Sequence, residues 1–115
     1  MEKDDTVYLR HVLDAINLAE EYLQGVDENK FKQTRLLQDG LIRQIEIIGE
    51  AIRHVSKELR NVNSDIAWED IAGMRDKLIH GYFGVDIDKV WLTAREDLPV
   101  LKRQVVAVLK DYGFE

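Results

Sequence analysis

Between Leu37 and Leu59 apolar side chains return every three or four residues, at Leu37, Leu41, Ile45, Ile48, Ile52, Val55 and Leu59. A strand turns successive side chains to opposite faces and cannot gather that set, whereas a helix lines it up as one stripe. The spacing predicts a helix that begins near Lys30 to Gln33 and runs to about Arg60, long for a chain of 115 residues. Leu36, Ile42 and Ile47 lie off the stripe, so the apolar surface is broader than one neighbour requires, and a dimer interface would use the surplus. Gly40 and Gly49 each cost about 1 kcal/mol relative to alanine inside a helix. Either they admit a second backbone at close range, or Gly40 marks a break between two shorter helices.

The same periodicity recurs on both sides. Leu9, Val12, Leu13, Ile16, Ala19 and Leu23 make one stripe over Asp5 to Leu23, with Gly25 as its stop. "NVNSD", Asn61 to Asp65, reads as a polar turn, followed by a short helix from about Trp68 to Ile79 that ends at Gly81. Asp86 suits an N-cap for a last helix whose stripe runs from Ile87 through Val90, Trp91, Leu98, Leu101 and Val105 to Tyr112. Pro99 interrupts that stripe and predicts a kink or break just before it. No strand-like alternation bounded by turns is present. The expected fold is therefore all-α, an up-and-down bundle of four or five helices formed by residues 1–115 as a single domain.

Composition narrows the chemistry. There is no cysteine, which excludes disulfides and thiolate metal sites, and no two of the three histidines stand at a metal-binding spacing. Glycine-rich phosphate loops and serine elbows are missing too. No apolar run approaches the roughly 20 residues of a membrane span, and "MEKDDTVYLR" lacks the layout of a signal peptide, so a cytoplasmic location is expected. The net charge of −6 argues at first against nucleic acid. All of that excess, however, falls within the first 29 residues, and the remainder is neutral and free to hold a basic patch.

The stretch "GMRDKLIHGYFG" concentrates the reactive side chains. An imidazole is the group best suited to move protons near neutral pH, and His80, expected in the last turn of a helix, would be biased toward its charged form by the dipole. Arg75 supplies a permanent forked cation suited to a phosphate. Five residues on an ideal helix place the two about 140° apart, so they share a site only if the arginine reaches round, the turn loosens at Gly81, or a second subunit contributes. They could instead cap helices or bind carboxylates, with Tyr82 packed on Trp91. Glu46 and Glu50 share a face as a possible carboxylate pair or as solvated charges. Arg53, Lys57 and Arg60 follow at i, i+4 and i+7, either an RNA path or an ordinary solvated face.

"RDKLIHGY" matches the Arg-x4-His-x-Tyr motif of HEPN-domain proteins, and the chain resembles their HepT-like branch, formerly domain of unknown function 86. "IEIIGEAIRHVSKELR", "IAWEDIAGMRDKLIHGYFGVDIDKVW" and "LPVLKRQV" carry the likeness across about Leu36 to Val105. The resemblance implies a metal-independent endoribonuclease without a cofactor, the toxin of a toxin-antitoxin pair, homodimeric with both motifs facing one cleft. It makes Arg75 and His80 the catalytic pair, and Tyr82 the tyrosine to which a nucleotidyltransferase antitoxin of the MntA type adds AMP. Asp76 stands where relatives often carry asparagine, as a supporting polar residue. Two other readings stay open: a non-catalytic nucleotide- or protein-binding partner of a nucleotidyltransferase, and a purely structural dimerising bundle.

Overall fold

The computed structural model describes residues 4–80 and 84–114, the side chain of His80 excepted. Helix α1 spans Asp5–Tyr22. Asp4 starts it by accepting from the Thr6 N–H at 2.9 Å, and the stripe of Leu9, Val12, Ile16 and Ala19 is buried. Gly25, at φ 73°, turns the chain where an L side chain would be strained.

The single long helix expected next is instead three: α2 (Glu28–Gln33), α3 (Arg35–Arg53) and α4 (Lys57–Val62). Thr34 is extended at the first break, and the buried Gln38 amide donates to the carbonyls of Phe31 and Lys32, both at 3.0 Å. Those bonds satisfy the end of α2 and make the break stable. At the second break Ser56 caps α4 through Leu59 N–H, while both Asp5 carboxylate oxygens, from α1, accept from Ser56. Val55 and Leu59 nonetheless stay buried, which is why the stripe reads as unbroken. No break occurs at Gly40, which lies against the Tyr22 ring.

The helix expected over Trp68 to Ile79 is also divided, into α5 (Trp68–Ala72) and α6 (Met74–Leu78) with Gly73 between them. It stops before Gly81. Ile79–His80 (β1) pairs antiparallel with Gly84–Val85 (β2), matching Ile79 to Val85 and His80 to Gly84. Among the described residues this short pair is the only strand pairing. Asp86 caps α7 (Ile87–Leu92) through Lys89 N–H, as expected. Thr93–Asp97 then form a wider π-type turn before α8 (Leu98–Asp111), which holds Pro99 in its first turn. A proline has no N–H for the carbonyl four residues back, and the widened turn absorbs that loss.

Helix α3 is the centre of the bundle, packing on α1, α5, α6 and α7, and α1 closes the far side against α8. Leu41, Ile45, Ile48 and Ile52 meet the α1 stripe, Val90, and Leu98, Leu101 and Val105 in one core. The fold is an all-α bundle. The short α2 and α4 and the divided α5–α6 give it more segments than a four- or five-helix count allows. No described helix is long and apolar enough to cross a membrane.

Candidate active site

Gly49 determines how close α5 and α6 come to α3. A Cβ at that position would stand 3.1 Å from the Ala72 carbonyl oxygen, so glycine is needed for the approach. One turn further on, Arg53 Nη2 donates to the same oxygen at 3.2 Å and holds the end of α5 against α3. Of the two glycines expected to admit a backbone, only Gly49 does so.

This approach carries Arg75, on α6, to Glu46, on α3. Arg75 Nε donates to Glu46 Oε2 at 2.9 Å, and Nη1 lies 3.5 Å from the Asp76 carboxylate. The hydrogen bond to Glu46 is the main reason the guanidinium is held even above its ordinary pKa, so it stays charged at any working pH. Arg75 keeps 46% of its side chain exposed. It opens onto a hollow of about 320 Å³ whose walls hold Arg43, Arg53 and Arg75 against Glu46, Glu50 and Asp76. Three fixed cations balanced by three carboxylates leave the hollow formally neutral.

His80 does not occupy the last turn of a helix. Helix α6 ends at Leu78, Ile79 is extended (φ −121°, ψ 116°), and His80 continues in β1. A β-branched residue leaving the helix and a ladder bond from Asp86 N–H to the Leu78 carbonyl, 2.8 Å, fix that exit. The dipole argument for His80 loses its premise, because the effect is confined to the last turn. The 140° separation loses its premise too, since the segment from Arg75 to His80 is not one helix. The side chain of His80 and all of Tyr82 lie outside the described residues.

Arg53, Lys57 and Arg60 do not share one helical face. Arg53 lines the Arg75 hollow, whereas Lys57 and Arg60 belong to α4 beyond the break and line another hollow with Asn61, Ser64 and Trp68. Arg60 Nη2 donates to the Ile52 carbonyl at 2.6 Å, closing the C-terminal end of α3. Glu46 and Glu50 are not a carboxylate pair either. Glu46 serves Arg75, and Glu50 lies 3.8 Å from Arg53 and 3.3 Å from His54. The partnership of Glu46 with Arg75 escaped the sequence reading. Its signal was Gly49, which marks the side of α3 where another backbone arrives, about one turn from Glu46. Among the described residues no group of three histidine or acidic side chains converges as a metal site.

A family model and several relatives match this chain. The model described as ribonuclease HepT-like matches residues 12–108. A gamma-glutamylcyclotransferase and putative RNase of Methanocaldococcus jannaschii is 42% identical over 96% of the chain, which spans 50% of that longer protein. A putative RNase of Caldanaerobacter subterraneus is 40% identical over 90% of the chain and 92% of its own length. A probable ribonuclease HepT of Thermococcus cleftensis is 39% identical over 89% of the chain and 93% of its own length. No solved structure matches. With the family model covering most of the bundle and the Arg-x4-His-x-Tyr motif inside the matched span, the chain belongs to the HepT-like ribonuclease family.

Proposed function

We propose that the chain is a metal-independent endoribonuclease, the toxin of a toxin-antitoxin pair, in which Arg75 and His80 act on one phosphodiester. The observation that carries this reading is Arg75 itself, a charged fork oriented by Glu46, exposed over an open hollow, on the helix that leads into His80. His80 takes the proton of a ribose 2′-hydroxyl, and that oxygen attacks the adjacent phosphorus. The bond to the 5′-oxygen breaks, the leaving oxygen is protonated, and a 2′,3′-cyclic phosphate remains. Arg75 exchanges the Glu46 carboxylate for the phosphate and stabilises the charge that builds on it. DNA, lacking the hydroxyl, is not cut.

Two chains with their motifs facing one cleft make up the working unit. Leu36, 82% exposed in the first turn of α3, is an apolar side chain that a second chain would cover. Tyr82, two residues from His80, is the site where a nucleotidyltransferase antitoxin adds AMP, whose negative phosphate and bulk exclude RNA. A second reading, a non-catalytic partner of a nucleotidyltransferase, is favoured by the neutrality of the hollow.

Expression of the wild type and of His80→Ala without an antitoxin separates the two. The nuclease reading expects arrested growth and fragmented RNA with cyclic phosphate ends from the wild type alone. Equal growth with intact RNA from both proteins would overturn it in favour of the binding partner.

A further inference from the structure

Two histidines far apart in the sequence are brought together by one tyrosine. His54 stacks on Tyr8 with ring centroids 5.0 Å apart and planes within 15°, and His11 meets the same ring edge-on at 6.4 Å. Tyr8 is half-buried against the core, which fixes its ring, whereas His54 leaves 53% of its side chain exposed. A ring pair that served only to pack α1 on α3 would gain most by being covered, and this one presents its outer member to solvent.

The stack adjoins the Arg75 hollow. Arg43, Glu46, Glu50, Arg53 and His54 fall within about 100° of one another around α3, on a single exposed face. Glu50 links the parts, lying 3.8 Å from Arg53, which lines the hollow, and 3.3 Å from His54, which belongs to the stack. From Glu46, the partner of Arg75, to His54 is about 12 Å along the helix. A single RNA strand that enters at Arg75 thus meets a fixed cation at Arg53 and then an exposed aromatic plate. Cations that follow the backbone together with rings that accept bases are how single strands are held without a sequence code.

We propose that His54, backed by Tyr8, is a nucleobase-stacking subsite for the RNA strand whose scissile phosphate lies at Arg75. The inference rests on the ribonuclease reading for its ligand and extends it to where the strand runs. The subsite recognises the flat face of a base rather than its hydrogen-bonding edge, so purines, with the larger ring system, bind better than pyrimidines.

Fluorescence anisotropy on the full chain tests it, with 2′-O-methyl oligoadenylate, which binds but offers no attacking hydroxyl, and with an abasic oligomer of equal length. His54→Ala is expected to weaken oligoadenylate binding by about tenfold, in the range measured for loss of a base-stacking ring. His54→Phe should restore it, and the abasic oligomer should bind all three proteins alike. Unchanged oligoadenylate affinity in His54→Ala, with or without a loss of thermal stability, would reduce the stack to a structural tie and overturn the subsite. Equal weakening of the abasic oligomer would overturn it as well. The two readings fail separately: cleavage that persists with no role for His54 sinks the subsite alone, base-dependent binding without cleavage of ordinary RNA sinks the nuclease alone, and a wild type that binds neither probe sinks both.

Discussion

Arg75 Nε donates to Glu46 Oε2 across 2.9 Å, joining residues 29 positions apart and binding the motif helix α6 to the central helix α3. The carboxylate orients the guanidinium, and under the proposed reaction a phosphate would have to compete with it for the same cation.

Glu46→Gln removes the competing charge and preserves the shape. We expect two- to fivefold tighter binding of 2′-O-methyl RNA at low salt, by anisotropy, with the advantage shrinking as salt screens the hollow, on the order of a Debye length of about 10 Å at 0.1 M. Weaker binding would mean that orientation of Arg75 matters more than the charge facing it.

The two helical glycines should respond to alanine in opposite directions. At Gly49 the new methyl meets the Ala72 carbonyl oxygen at 3.1 Å, which is backbone and yields poorly. Overpacking typically costs about 1–3 kcal/mol and exceeds the gain of about 1 kcal/mol in helix propensity, so Gly49→Ala should lose stability in urea melts. At Gly40 the methyl meets the edge of the Tyr22 ring, also at 3.1 Å, which can rotate aside. Gly40→Ala should be neutral or gain up to about 1 kcal/mol. Equal effects at both sites would show that the approach of α5 to α3 is not limited by Gly49.

Asp5 accepts from Ser56 N–H at 2.9 Å and from its hydroxyl at 2.6 Å, tying the first turn of α1 to the start of α4. Loss of a cap or a charge-assisted hydrogen bond costs about 1–2 kcal/mol. Asp5→Ala and Ser56→Ala should each cost about that much. The double mutant should cost less than their sum, because both remove the Ser56 hydroxyl bond to Asp5, whereas the backbone N–H bond is lost only with Asp5 and the Leu59 cap only with Ser56; additivity in denaturant melts would show the shared hydroxyl bond to be energetically silent.

Lys32 reaches Asp88 at 3.0 Å and Glu28 at 3.3 Å, a tie between α2 and α7. The hydrogen bond to Asp88, then that to Glu28, raises its pKa above the ordinary 10.5. A raised folded pKa contributes stability that is fully present below the unfolded value and is lost as pH climbs through the folded one. Thermal melts of wild type and Lys32→Gln should differ by a small constant amount through neutral and mildly alkaline pH and converge only above about pH 10.5. Convergence already near neutral pH would exclude this lysine as the cause.

How much was legible follows from the range of each interaction. Local effects were readable: the α1 stripe and its end at Gly25, the Asp86 cap, the disturbance before Pro99 and the contiguous family motif. The breaks at Thr34 and Ser56 were not, because they are stabilised by Gln38 reaching back seven residues and by Asp5 from another helix. The exit of the chain from α6 before His80 was missed for a similar reason, since it depends on pairing with Gly84 and Val85.

Periodicity and a short run of residues were enough to specify a helical chain, the stripes it buries and the family, though not where each helix ends, because a helical repeat and a contiguous motif involve neighbours along the chain. The partner of Arg75, the separation of Arg53 from Arg60, and the meeting of His11 with His54 over Tyr8 depend on how helices pack. Packing is set by a close approach such as Gly49 on Ala72, an interaction between segments whose distance no one-dimensional spacing contains.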